Sequence, residues 1–318
     1  MKILRSASLH LAFALGCFFA LPTQAPCAAD VNPGVVEVNF PGDYRQVVAV
    51  SDVHGMYKPL LALLRNGRII DKANNWSAGK TLLIVDGDSV NKGPDSVETL
   101  ELWMSLSEQA PREGGRVIHL LGNHEAEFLS DPKENNKVSE FRDELRAKGH
   151  KVKEFTHAGY PYADFLLGMP VAARVGKWLF CHSGLLPDAS WGSFTAQAAN
   201  AVQAGDYASQ FLIGDHSILE AKDWWSKPQG RADLERRLSA AGLFGVVFGH
   251  QDKALGAEGR NAISADGRLI KIDNGMAPEG GSHPGSLLIF TRPVELSSAA
   301  PVSVQTIPAA GVPKPLRP

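Results

Sequence analysis

Short apolar runs recur along the chain and each stops at glycine or a polar residue: Val47-Val48-Ala49-Val50, Leu82-Leu83-Ile84-Val85, Val117-Ile118-His119-Leu120-Leu121, Trp178-Leu179-Phe180 and Val246-Val247-Phe248. Runs apolar at consecutive rather than alternate positions predict strands buried on both faces. Between them the apolar spacing becomes helical, over 58–66, 96–108, 139–148 and 231–241. This alternation of strand and helix predicts an α/β fold built in layers. Ala262 to Ile272 contains the turn Ala265-Asp266-Gly267 and predicts a hairpin, and Ser286 to Phe290 predicts a further strand.

Two stretches lack a period. Residues 190–229 hold Trp191, Trp224 and Trp225 and read as a lobe or cap over a site. From Pro293 onward, Pro293, Pro301, Pro308, Pro313, Pro315 and Pro318 stand among small residues, so 293–318 reads as a loosely packed or flexible tail behind a domain spanning 30–292. At the other end, Lys2 and Arg5 precede an apolar run from Leu9 to Leu21, and Cys27-Ala28-Ala29 fits a small-x-small cleavage pattern. Residues 1–29 therefore read as an export signal, with a mature chain starting near Asp30 in the periplasm or outside the cell and no stable membrane insertion after cleavage.

Composition narrows the partners. The 318 residues are 44% apolar, enough for a large core without disulfides, and the formal charge is -2. Loss of 1–29 removes Lys2, Arg5 and no acid, leaving 30 basic against 34 acidic residues. Such a chain has no global basic field to gather a nucleic acid polymer, so a compact anion would be held by local cations or metal. Cys181 is the one cysteine left after cleavage, which rules out an intramolecular disulfide, and its place at the end of an apolar run suits an inert buried thiol.

The chemistry stands immediately after the predicted strands: Asp52-Val53-His54-Gly55, Asp86-Gly87-Asp88, Gly122-Asn123-His124-Glu125, His182-Ser183-Gly184 and Gly249-His250. In open α/β sheets a ligand site lies beyond the carboxyl ends of the strands, so residues scattered in sequence can converge there. A lone histidine after a strand is usually structural, and Asp88 or Asn123 alone suits a turn or helix cap. Five strands ending in ligand-type residues, in order, are hard to obtain from packing needs. Imidazole, carboxylate and amide oxygen suit two divalent transition-metal ions such as Mn, Fe, Zn, Co or Ni. Two such ions about 3.5 to 4 Å apart generate a hydroxide nucleophile and clamp a phosphoryl group.

With these residues in place, the sequence resembles the calcineurin-like metallophosphoesterase superfamily, over roughly residues 46 to 291. The marks are Asp52-Val53-His54, Gly87-Asp88 through Gly93, Gly122-Asn123-His124-Glu125, Cys181-His182-Ser183-Gly184 and Gly249-His250-Gln251. The resemblance implies two packed β-sheets flanked by helices. It makes Asp52, His54 and Asp88 ligands of one metal, with Asp88 bridging to a second held by Asn123, His182 and His250. It makes His124 the group that contacts substrate and protonates the leaving oxygen.

Glu125, the run His182-Ser183-Gly184-Leu185-Leu186-Pro187 and Trp225-Ser226-Lys227-Pro228 are similar to the phosphoprotein phosphatase branch, nearest its bacterial, Shewanella-like members. That branch usually has Gly-Asp-x-Val-Asp-Arg-Gly, where this chain has Gly87-Asp88-Ser89-Val90-Asn91-Lys92-Gly93. Lys92 thus replaces a bidentate guanidinium by a point charge. Asn91 replaces an Asp that holds the catalytic histidine, and its amide oxygen is the expected partner of His124. Lys92 and Lys227 are candidate phosphate cations, Asn91 and Glu125 candidate supporting residues, and Asp273-Asn274-Gly275 a segment that returns to the site or simply turns. The implied activity is a phosphomonoesterase for phosphorylated Ser/Thr or Tyr, or a small phosphate ester. The rivals are a nucleotide or dinucleotide polyphosphate hydrolase and a non-catalytic metal-binding scaffold.

Overall fold

A computed structural model describes residues 32–186 and 188–317. The predicted export segment, with Cys17 and Cys27, lies outside the described residues.

Each predicted run forms a strand because it is buried from both sides. β1 (Val35–Val38) is followed by β2 (Gln46–Val50), α1 (Tyr57–Asn66), β3 (Thr81–Asp86), α2 (Ser96–Gln109), β4 (Arg116–Leu120) and α3 (Asn123–Ser130). Next come α4 (Ser139–Ala147), α5 (Lys153–Thr156), α6 (Pro161–Leu167), β5 (Ala172–Val175), β6 (Trp178–Cys181), α7 (Trp191–Gln203), α8 (Pro228–Ala241) and β7 (Gly245–Phe248). The hairpin β8 (Ala262–Ile263) and β9 (Leu269–Lys271) leads to β10 (Ser286–Phe290), β11 (Val304–Pro308) and β12 (Lys314–Pro315).

The strands form two six-stranded sheets, ordered β12-β11-β10-β2-β3-β4 and β1-β5-β6-β7-β9-β8. In the first, β2, β3 and β4 run parallel, with Val47 opposite Leu82 and Leu83 opposite Val117. In the second, β6, β7 and β9 run parallel. Val47, Ala49, Leu82 and Ile84 of one sheet pack on Ala173, Phe180, Val247 and Ile270 of the other. The opposite faces are covered too: Val48, Leu83 and Val85 meet Leu63, Leu64 and Trp103 of α1 and α2. Leu179, Cys181 and Phe248 meet apolar side chains of α3 to α8. Residues exposed to neither side cannot alternate with polar ones, which is why these runs are continuous.

The tail expectation is corrected. Residues 304–308 pair antiparallel along the whole of β10, with Leu287 opposite Ile307, and β12 pairs in turn with β11. Leu296 is buried in the core between the sheets, so the domain extends past residue 292. Proline is tolerated here because β11 and β12 are peripheral strands. The 190–229 segment consists of α7 followed by turns up to α8. Among the described residues no helix is long and apolar enough to cross a membrane.

Candidate functional site

The carboxyl ends of β2, β3 and β4 in one sheet and of β6, β7 and β9 in the other meet at a cavity of about 920 Å3. Asp52, His54, Asp88, Asn123, His124 and His250 line it, and fully buried His182 reaches Asp88. The chain leaves each strand abruptly. Asp52, His54, Asp88 and His250 have φ of 53°, 48°, 51° and 64°, a left-handed region that costs non-glycine residues about 1 kcal/mol or more. These turns direct several side chains from consecutive residues into one place. Two glycines allow the approach: a Cβ at Gly122 would lie 2.3 Å from Asp88 Oδ1, and one at Gly249 would lie 2.3 Å from Asp52 Oδ2.

Hydrogen bonds set the histidine tautomers. His54 Nδ1 lies 3.2 Å from the Val90 carbonyl, His182 Nδ1 lies 2.7 Å from the Asp86 carbonyl, and His250 Nε2 lies 3.1 Å from the Glu220 carbonyl. A carbonyl only accepts, so these nitrogens donate and the other nitrogen of each ring keeps a lone pair. For His182 that lone pair stands 3.2 Å from both Asp88 Oδ2 and Asn123 Oδ1, which are themselves acceptors. His54 Nε2 lies 3.5 Å from Asp88 Oδ2 and 3.9 Å from Asp52 Oδ1. Lone pairs at these separations repel unless a cation or proton lies between them. Ligands about 2.0 to 2.2 Å from one metal stand about this far apart.

Two donor groups fit an ion: His54, Asp88 and His124, and Asp88, His182 and His250, with donor atoms within 4.8 Å of one another in each. Asp88 belongs to both. Asp52 supports the seam between the sheets, accepting the His250 N–H at 3.0 and 3.1 Å from its two oxygens, with Ser51 Oγ 2.5 Å away.

Electrostatics favour the same donor set. Burial drives His54 well below its ordinary pKa and His250 to about 3, so both are neutral and free to ligate. Burial raises the Asp52 carboxyl to about 6, with the neighbouring Asp88 charge adding to the rise. At Asp88 and His182 burial opposes ionisation too, yet their mutual attraction holds Asp88 well below and His182 well above the usual range. Without a metal, then, a proton on His182 supplies the positive charge this cluster demands.

The supporting residues are partly as expected and partly not. Glu125 is fully buried and its carboxylate accepts the N–H groups of Asp88, Ser89, Val90 and Gly122 at 2.8 to 3.1 Å, fixing the turn that carries Asp88. Asn91 does contact His124, but through its amide nitrogen, 3.1 Å from Nδ1. Its oxygen is taken by the Phe141 N–H and its nitrogen also donates to the Lys137 carbonyl, each at 3.0 Å, so two backbone groups impose the reversed orientation. Lys92 lines the cavity with Nζ 3.2 Å from His54 Nε2. Lys227 does not line it: Pro228 opens α8 there and leaves Lys227 exposed in an extended conformation. Lys222 occupies the wall instead, and Asp273 does reach it. Cys181 is buried, and burial pushes its thiol well above the ordinary range.

Several wall residues besides Lys222 escaped the sequence reading, among them an ion bridge. Lys137 Nζ bridges Glu127 Oε1 at 2.5 Å and Glu220 Oε1 at 2.8 Å. Through backbone carbonyls, Lys137 also holds Asn91 and Glu220 holds His250. Charged residues on helices and turns read as solvated surface, so only tertiary contact reveals this bridge.

The model of the family described as calcineurin-like phosphoesterase matches residues 45–264. Shewanella-like protein phosphatase 2 of Arabidopsis thaliana is 23% identical over 283 residues, covering 73% of this chain and 71% of the relative. A symmetrical bis(5'-nucleosyl)-tetraphosphatase of Dechloromonas aromatica is 28% identical over 189 residues, 58% of each chain. Among solved structures, the cold-active protein-tyrosine phosphatase of a psychrophilic Shewanella superposes with a TM-score of 0.70 at 20% identity, covering 91% of this chain and 84% of that one, which establishes a shared fold. With two thirds of its length matched by the family model and the donor clusters at its strand ends, the chain belongs to the calcineurin-like phosphoesterase family of metal-dependent phosphoric ester hydrolases.

Proposed function

We propose that the chain is a two-metal phosphomonoesterase acting on phosphorylated protein side chains. The observation that carries this reading is Asp88, whose carboxylate is common to both donor groups and so suits a bridge. Asp52, His54 and Asp88 would hold one divalent transition-metal ion, drawn from Mn, Fe, Zn, Co or Ni, with His124 of that donor group left for the substrate. Asp88 would share in holding the other with Asn123, His182 and His250. Bound there, the metal would supply positive charge for the phosphoryl oxygens and an activated water.

The chain's own groups do the rest. With Asn91 donating to Nδ1, the neutral His124 ring carries its proton on Nε2, 3.9 Å from Asp88 Oδ2 at the cavity wall, where it can hydrogen-bond the leaving oxygen. It can release a proton there only when doubly protonated. Lys92 supplies a single mobile cation beside His54, suited to an oxygen of the incoming phosphate but not to bidentate recognition. Glu125 keeps Asp88 in place. The names of the Arabidopsis and Shewanella relatives support a phosphoprotein substrate, and the name of the Dechloromonas relative supports dinucleotide polyphosphates as the second reading.

Chelation is expected to abolish hydrolysis of an aryl phosphate by the purified protein, and added divalent metal to restore it. Full turnover in a sample shown to be metal-free would end the reading.

A further inference from the structure

Beyond the donor groups the cavity wall is acidic. Glu127 and Glu220 stand on one side, Glu140 of α4 and Asp215 of the 204–227 segment at the rim, with Asp252 after β7 and Glu279 completing it. Three lysines answer them, and two are already engaged. Lys137 is shared between Glu127 and Glu220, and Lys92 lies beside His54 and 4.0 Å from Glu279. Glu140, Asp215 and Asp252 make no ion pair among the described residues, and Lys222 is the one remaining lysine of the lining. A further observation concerns Glu127, which is 1% exposed and lines the cavity: Lys137 satisfies its Oε1, its Oε2 has no hydrogen-bond partner, and burial raises the group to about 7, so the carboxyl is only half satisfied.

We propose that this wall selects phosphorylated side chains set among lysine and arginine residues, against phosphate esters whose leaving group is itself anionic. The inference rests on the phosphomonoesterase reading above. The phosphate of any substrate goes to the donor clusters, so the rest must lie along the wall. Successive residues of an extended peptide advance about 3.3 Å, so basic residues within two or three positions of the phosphorylated one come within reach of the rim carboxylates. A nucleotide or polyphosphate would bring its remaining charges against those same carboxylates, at separations that physiological salt screens only in part.

The test uses the metal-loaded protein with four substrates: p-nitrophenyl phosphate, a phosphopeptide flanked by Arg and Lys, the same peptide flanked by Asp and Glu, and diadenosine tetraphosphate. The basic peptide is expected to exceed the acidic one in kcat/KM by about tenfold, since two or three rim ion pairs each contribute a factor of about two to five. Between about 0.05 and about 0.5 M salt the preference should shrink. Combining Glu140→Lys with Asp215→Lys should bring the ratio to one or invert it. Should that variant melt early, Glu140→Gln and Asp215→Asn read the same ratio with less disturbance. Aryl phosphate turnover with equal peptide rates, an acidic preference, or faster cleavage of the dinucleotide would overturn the proposal alone. No turnover of any monoester would overturn the phosphomonoesterase reading and this inference with it.

Discussion

Asn91 holds His124 in a state opposite to the one a carboxylate would impose. Its amide N–H leaves Nδ1 as an acceptor, and burial, with the charges of Lys92 and His182, lowers the ring to about 4. Asn91→Asp would turn an anionic oxygen toward Nδ1 and favour the doubly protonated ring. The folded pKa of His124 then rises, so the acid persists to higher pH and the alkaline limb of kcat/KM moves upward, by about one unit. The same oxygen would face the Lys137 carbonyl, so a stability loss of about 1 kcal/mol should accompany the change. An unmoved limb, in a variant that still folds, would show that Asn91 does not govern the proton on His124.

Asp86 is the other residue whose chemistry is out of balance. Both its carboxylate oxygens are buried without a partner, and burial raises the group from 3.8 to about 7. Because the folded value exceeds the unfolded one, the folded state binds more protons between them, and stability is lost as pH rises from about 4 to about 7. Asp86→Leu, similar in bulk and uncharged, should therefore raise the melting temperature of metal-free protein, more at pH 8 than at pH 5, by the equivalent of about 1 to 3 kcal/mol. Melts at the two pH values decide it, and an equal or larger gain at pH 5 would show that Asp86 is not ionising against burial.

At the scale of elements, the strands that build the site were legible because burial on both faces makes them continuously apolar. β1 and β5 were not. Val35-Val36-Glu37-Val38 and Ala172-Ala173-Arg174-Val175 are four residues each with a charge inside, since β1 is an edge strand paired only with β5. α3 was missed because its first turn, Asn123-His124-Glu125, consists of site residues rather than an apolar stripe. The C-terminal strands were misread because proline and small residues mask Val302, Val304 and Ile307, all buried. Truncation after Ser298 tests which reading governs stability. Each such buried side chain contributes about 1.5 to 3 kcal/mol, and β10 would lose its partner along its full length, so the melting temperature should fall by about 5 °C or more. An unchanged melt would restore the loose tail.

At the scale of the molecule, the donor residues could be found one by one in the sequence, but not the fact that two separate sheets supply them to one cavity. Asp52, His54, Asp88 and Asn123 follow strands of the first sheet, while His182 and His250 follow strands of the second. A cation bound between them therefore ties the sheets together, and without it burial and the neighbouring Asp88 charge raise the cost of ionising Asp52 in the first sheet's half of the site. Metal at about a hundredfold over its dissociation constant should stabilise the folded state by about 2.7 kcal/mol per independent site. His250→Ala disrupts one donor group and should keep part of that gain, whereas Asp88→Asn weakens both and should lose nearly all of it. Melting temperature followed against Mn2+ or Zn2+ concentration, with bound metal counted in the same samples, separates these cases. If Asp88→Asn gains as much from metal as the unaltered protein does, the shared carboxylate is not what joins the two halves of the site.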